Sequence, residues 1–396
     1  MKRKILLIHN GYPVGEEVGD KVRVLNMAKS LKNIGFDVYF LAFYKKGFSS
    51  LSKERSTLPL GVKGMLYYTL PDRWGLVGVA SIIRAAITWL IVKRYGIKIV
   101  QVETSLSGSC IKFLNKNIDV VTDFHADPVP ELQMVGRSQR YIDHTIRDIK
   151  YLLARSQKIL AVSDNLRKNL RCYYPYVSET AILPCSFDEN IFVEKEPQLV
   201  VKIRKEMNLD NRIVLCYLGG THKWQCIEET LDLCIRLRAL DSRYFVCIFT
   251  NGDMSSYQDK LDQLGDNYLC KGLPYASVPL YLSAIDVGFV LRQNSLVNIN
   301  SSPTKSSEYL ASGAFLVATQ YSGDAPILIK ESSCGFLLNN TNPSDDEIKL
   351  LHHHILLFME KRRDSALMAR SYALKERIWG ANEEKLRKLY SDFGVK

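Results

Sequence analysis

Short apolar runs recur along the chain, separated by stretches with helical spacing. In the first half they lie at 5–9, 38–43, 99–102, 120–122 and 159–162. A helical pattern over 22–34 ends at Gly35. In the second half the runs predict strands over Ile213–Leu218, 245–250, 287–291 and Phe315–Thr319, with helices over 226–240, 255–265 and 278–284. Alternation of this kind predicts an α/β protein: two βαβ arrays, each a parallel sheet with helices on both faces. Residues 184–192, opening Pro-Cys-Ser-Phe-Asp, read as the linker between them. Residues 364–393, which include Trp379, read as one long helical pattern. A chain of 396 residues has room for two or three domains and ample core.

The segment 302–319, Ser-Pro-Thr-Lys-Ser-Ser-Glu-Tyr-Leu-Ala-Ser-Gly-Ala-Phe-Leu-Val-Ala-Thr, carries the most chemistry. It predicts a helix with Ser302 as N-cap and Pro303 at the first helical position, where no N–H is needed. The free N–H groups of Thr304, Lys305 and Ser306, beside the lysine side chain, would suit an anion. Ser307 belongs to the same helix start. Glu308 would accept bonds from paired hydroxyls, and Gly313 ends the helix. Phosphate donors, a cation and a hydroxyl acceptor on one short helix suit a nucleotide diphosphate.

Two glycine turns follow predicted strands. Gly15 and Gly19 lie in the loop after the first, where bare backbone can approach a phosphate or sugar. Lys21 and Arg23 beyond them read equally well as a solvated helix face. Gly219-Gly220-Thr221-His222-Lys223-Trp224 follows the first strand of the second half. Gly220 offers close backbone approach there, and Lys223 a cation for a diphosphate. His125 sits just after Val120-Val121-Thr122-Asp123, in a turn with Asp127 and Pro128.

Charge and composition sharpen the picture of partners. Residues 1–185 hold 28 Lys+Arg against 15 Asp+Glu, a balance of +13, while the remainder is near neutral. That asymmetry points to an anionic partner on the first half. No nucleic-acid motif is present, so an anionic membrane surface or a diphosphate-bearing acceptor fits better than nucleic acid. Residues 74–92 are almost wholly apolar, interrupted by Arg84 and flanked by Arg73, Lys93, Arg94 and Lys98. The arginine argues against a membrane span. An interfacial helix and a buried domain helix with a snorkelling arginine both remain open. The nine cysteines show no zinc spacing. Cys216, Cys247 and Cys270 lie in apolar runs and are expected as buried thiols of a reducing, cytoplasmic compartment. The first apolar run is too short for a secretory signal.

The chain resembles the family 4 retaining glycosyltransferases of the GT-B fold. Glu308-Tyr309-Leu310-Ala311-Ser312-Gly313 matches the second half of that family's donor-site pattern, in which a first Glu stands eight residues earlier. Here that position is Asn300. Asp123-Phe124-His125-Ala126-Asp127-Pro128-Val129-Pro130-Glu131 is similar to the family's Asp-x-His-Gly segment, Ile159-Leu160-Ala161-Val162-Ser163 to its last N-domain strand, and Ile182-Leu183-Pro184-Cys185-Ser186-Phe187-Asp188 to its interdomain segment. The resemblance implies two Rossmann-like domains: an acceptor-side domain over 1–183, a donor domain over 184–375, and a terminal helix over 376–396 returning to the first. It implies a retaining transferase that moves sugar from a nucleotide diphosphate sugar to a glycolipid or surface-polysaccharide hydroxyl, with no permanently bound cofactor and no metal. His125 and Asn300 would orient the sugar and Glu308 the ribose. Gly15, Gly19, Gly220, Lys223, Thr304, Lys305, Ser306 and Ser307 would surround the donor. The protein would lie in the cytoplasm, on the inner membrane face if the basic half docks there. Two alternatives stand beside this reading: an inactive sugar-nucleotide-binding subunit, which Asn300 permits, and a GT-B sugar-nucleotide epimerase.

Overall fold

The computed structural model describes residues 3–10, 19–44, 58–68, 77–103, 105–175 and 179–393. Gly15, Arg73 and Trp74 lie outside them. The chain divides into two units, Met1–Pro184 with Trp379–Lys396, and Cys185–Ile378.

The first unit is built on a seven-stranded sheet of β1 (Lys4–Asn10), β2 (Asp37–Tyr44), β3 (Lys63–Tyr68), β4 (Ile99–Glu103), β5 (Asp119–Phe124), β6 (Lys158–Ala161) and β7 (Thr180–Ile182). All pairs are parallel, in the order β3-β2-β1-β4-β5-β6-β7. The second unit holds β8 (Ile213–Leu218), β9 (Tyr244–Phe249), β10 (Tyr268–Lys271), β11 (Val287–Val290), β12 (Phe315–Thr319) and β13 (Gly335–Leu338). These are also parallel, ordered β10-β9-β8-β11-β12-β13. The doubly wound α/β architecture follows from the alternating pattern.

Central strands are buried at every position, as in β4, β9 and β12, because helices cover both faces. Each sheet reverses its strand order once, between β1 and β4 and between β8 and β11. Beyond the carboxyl ends of strands at such a reversal, neighbouring connections leave in opposite directions and open a crevice.

Several expectations need correcting. The pattern over 364–393 is two helices, Arg362–Glu376 and Trp379–Tyr390, broken where the chain passes from the second unit to the first. Trp379, Leu386, Leu389 and Tyr390 then join the first unit's core with Val24, Met27, Leu31 and Phe36. Cys270 is exposed, since it lies on the edge strand β10, whereas Cys216 and Cys247 on central strands are buried. Arg23 is no solvated side chain: it is 3% exposed.

The apolar segment forms the helix Val77–Tyr95. Arg84 does not interrupt its outer face, because that side chain is buried. The outer face shows Val79, Ile82, Ile83 and Leu90, with Lys93 and Arg94 at its end. Among the described residues no helix is long and apolar enough to cross a membrane.

Candidate functional site

The second unit's reversal point is held open by a tyrosine. β8 and β11 pair only at Leu215–Val287 and Cys216–Gly288, then diverge. Tyr309, on the helix Thr304–Ala311, enters the gap: its hydroxyl accepts from Leu218 N at 2.8 Å and donates to Cys216 O at 3.3 Å. A side chain on Gly288 would overlap the Tyr309 ring, so glycine is required there. The tyrosine ties the helix to the ends of both strands and fixes Lys305 and Glu308 on the turns before it.

The helix start differs from expectation. Pro303, not Ser302, is the N-cap residue. The Ser302 hydroxyl donates to Asp324 at 2.8 Å and accepts from Cys185 N at 3.0 Å, so it is spent on tertiary contacts. Ser306 N–H bonds Pro303 O, which removes it from the expected set of free donors. The Ser306 hydroxyl is fully buried, with no partner among the described residues. Thr304 is half-buried and Ser307 buried.

Lys305 points at the glycine turn after β8. Its amino group lies 2.8 Å from Gln225 Oε1 and 5.1 Å above the Tyr217 ring, and a side chain on Gly219 (φ +144°) would collide with it. Arg292, two residues beyond β11, shares the same amide: its guanidinium donates to Gln225 Oε1 at 2.7 Å and to Gln225 O at 3.0 Å. Two cations thus converge on one neutral side chain. Among the described residues neither has a carboxylate within ion-pair distance. Burial and the neighbouring Arg292 charge hold the Lys305 amine well below its usual pKa. Burial pushes Glu308 up to about 7, against the opposing pull of Lys305. The cluster therefore carries more positive than negative charge and sits where the fold opens.

Other expected residues are more dispersed. Lys223 is exposed, in the short turn Lys223–Gln225, and His222 stacks on Trp224 at 4.6 Å. Gly220 accepts from the Tyr217 hydroxyl through its carbonyl at 2.5 Å. Asn300 is buried at the C-cap of the short helix Leu296–Ile299. Gly19 begins the helix Gly19–Asn33.

The first unit's reversal point carries His125. Its Nε2 lies 3.0 Å from Glu103 Oε2, at the end of β4, and 3.2 Å from Asp123 Oδ2 on β5. Arg23 binds Asp123 through two parallel bonds of 3.0 Å and also donates to the Leu183 and Pro184 carbonyls. Burial raises the Asp123 pKa, but the Arg23 and His125 charges outweigh it and bring it down to about 2. Burial raises that of Glu103. Glu103, Asp123 and His125 could place one ligand atom each around a metal, within 4.8 Å of one another, though both Asp123 oxygens already accept from Arg23.

No family profile matches the chain, and no curated protein does either. Solved structures do. Sucrose-phosphate synthase from Thermosynechococcus elongatus superposes with a TM-score of 0.76 at 16% identity, covering 99% of both chains. Anabaena HepE in complex with UDP and glucose gives 0.72 at 14%, over 98% of this chain and all of that one. WaaG, a glycosyltransferase involved in lipopolysaccharide biosynthesis, gives 0.69 at 13%, over 99% and 100%. The fold is GT-B.

Within this GT-B chain, sequence reasoning missed four residues of the two crevices. Arg292 and Gln225 lie outside any recognisable spacing, and only the convergence of β8 and β11 brings them to Lys305. Glu103 lies just past the apolar run 99–102 and is the last residue of β4. Arg23 reads as helix surface until Asp123 is placed opposite.

Proposed function

We propose that the protein is a retaining glycosyltransferase, moving a sugar from a nucleotide diphosphate sugar to a hydroxyl of a glycolipid or surface-polysaccharide acceptor. One observation carries the reading: the half-buried Lys305 and the buried Arg292 converge, without a carboxylate within ion-pair distance among the described residues, beside Glu308 at the carboxyl ends of β8 and β11. A diphosphate supplies the missing negative charge. Glu308 accepts the ribose hydroxyls, and His125 and Asn300 orient the sugar. The bond from the sugar's anomeric carbon to the diphosphate breaks, and the acceptor oxygen bonds to that carbon on the same face. The acceptor's proton passes to the departing phosphate oxygen. Fixed cations stabilise that leaving group, which a metal would otherwise do. The similarity to HepE, whose structure is a complex with UDP and glucose, supports this class of donor.

The outer face of the Val77–Tyr95 helix supports peripheral attachment to an anionic membrane, which would bring the enzyme to a lipid-linked acceptor on the cytoplasmic side. Its apolar residues would enter the interface while Lys93 and Arg94 meet headgroups.

Incubation of the purified protein with a panel of nucleotide diphosphate sugars tests the reading. Transfer or slow hydrolysis of one of them is expected, unchanged within about twofold by EDTA because charged side chains replace the metal. Lys305→Met should weaken uridine diphosphate binding about 10- to 100-fold, the worth of one or two charge-assisted bonds. Binding without turnover would favour an inactive subunit, and interconversion of sugars an epimerase. Loss of turnover on chelation, restored by Mn²⁺, would overturn the donor-site chemistry.

A further inference from the structure

The first unit's crevice holds a hydrogen-bonded line of side chains that the proposed transfer does not by itself require. Tyr390, on the terminal helix, donates to Gln101 Oε1. Gln101 Nε2 donates to Glu103 Oε1 at 2.5 Å, and Glu103 Oε2 meets His125 Nε2. From the other side Arg23 orients Asp123, whose Oδ2 meets the same nitrogen. Gln101, Glu103, Asp123, Arg23 and Tyr390 are all buried. His125 is partly open, its side chain 11% exposed against none for the two carboxylates.

The chemistry of this contact is one-sided. An ionised carboxylate only accepts hydrogen bonds, and a neutral imidazole carries its proton on one nitrogen alone. Asp123 is gripped by both prongs of a guanidinium and so stays ionised. A lone pair on Nε2 would face that carboxylate and be repelled, so Nε2 must carry the hydrogen. Glu103 then accepts the same N–H from the opposite strand and prevents the ring from turning, while Gln101 and Tyr390 hold Glu103.

We propose that Glu103 is a positioning residue for His125, which with Asp123 locks the hydrogen on Nε2 and fixes the orientation of the imidazole in the proposed transfer. If the ring gains a second proton, the contacts at Nε2 are unchanged. His9 on β1 stands level with Glu103 in the sheet. The kinetic part of this inference rests on the glycosyltransferase reading, and the spectroscopic part does not.

Long-range proton–nitrogen correlation spectra of protein labelled with ¹⁵N-histidine test it, with the His125 signals assigned from His125→Gln. Wild type should show Nε2 bearing hydrogen throughout the pH range in which the protein is folded. Glu103→Met should show mixed tautomers and a kcat lowered about 10-fold or more, with the donor KM held within about twofold. Glu103→Gln, which keeps an acceptor of the same shape, should restore most of the rate. In a His125→Gln background Glu103→Met should cost nothing further. A wild-type ring with hydrogen only on Nδ1 would overturn the proposal, as would additive losses in the double variant. Binding of one Zn²⁺ per chain that vanishes in Glu103→Gln would make the trio a metal site instead. If Glu103→Met does not fold, the wild-type tautomer and the Glu103→Gln rate decide. If no nucleotide sugar is turned over, the proposed function fails while the tautomer still tests the lock.

Discussion

Glu308 is buried on the helix that carries Lys305, and burial lifts its pKa from 4.5 to about 7. The folded protein therefore keeps this proton over a range where the unfolded chain has lost it. Stability should fall as pH rises from about 4.5 to 7 and level off above, at about 1.4 kcal/mol per unit. Glu308→Gln should remove that slope from unfolding curves measured without ligand. The same variant should bind a nucleotide sugar about 10-fold or more weakly, because a carboxylate receiving two hydroxyls makes charge-assisted bonds. Calorimetry showing equal affinity in a folded variant would remove Glu308 from the ribose role. Lys305 and Glu308 were visible in the sequence because their spacing along one helix turn needs no tertiary information. Arg292 was not: it follows a strand end among Gln, Asn and Ser, and nothing local marks it as buried.

At the scale of elements, sheet position decides what a sequence reveals. The apolar runs located β1, β2, β4, β5, β6, β8, β9, β11 and β12. The four strands they missed, β3, β7, β10 and β13, are the outer strands of the two sheets. A central strand is covered on both faces and needs an unbroken apolar run, whereas an edge strand tolerates polar positions, as in Tyr-Leu-Cys-Lys of β10. The Val77–Tyr95 helix shows the reverse difficulty, since its apolar residues serve a core on one side and open surface on the other. Its outer face predicts co-sedimentation with anionic vesicles that falls as salt rises, each basic residue near the surface contributing about 1 kcal/mol. Asp at Val79 and Ile82 should reduce binding further, at any salt concentration. An unmodified protein that ignores anionic vesicles at low salt would leave the helix without a membrane role.

For the whole molecule, the two-unit plan was legible from alternating runs, but the crossover at 378–379 was hidden inside one continuous helical pattern. Removing residues 379–396 withdraws Trp379, Leu386, Leu389 and Tyr390 from the first unit's core. At roughly 1.5–3 kcal/mol for each large apolar side chain, the loss rivals the entire stability of a typical domain. The shortened protein should therefore show proteolysis throughout the first unit, while residues 185–378 survive as a protected fragment with cooperative unfolding. Loss of that fragment along with the rest would refute the division. The crossover also sets an order for synthesis. On the ribosome, residues 1–184 emerge first but wait for the helix that completes their core, and the second unit, whose segments are contiguous, can fold in the interval. The half of the protein made first is the half finished last, so a stalled or truncated nascent chain presents an open apolar sheet face to chaperones.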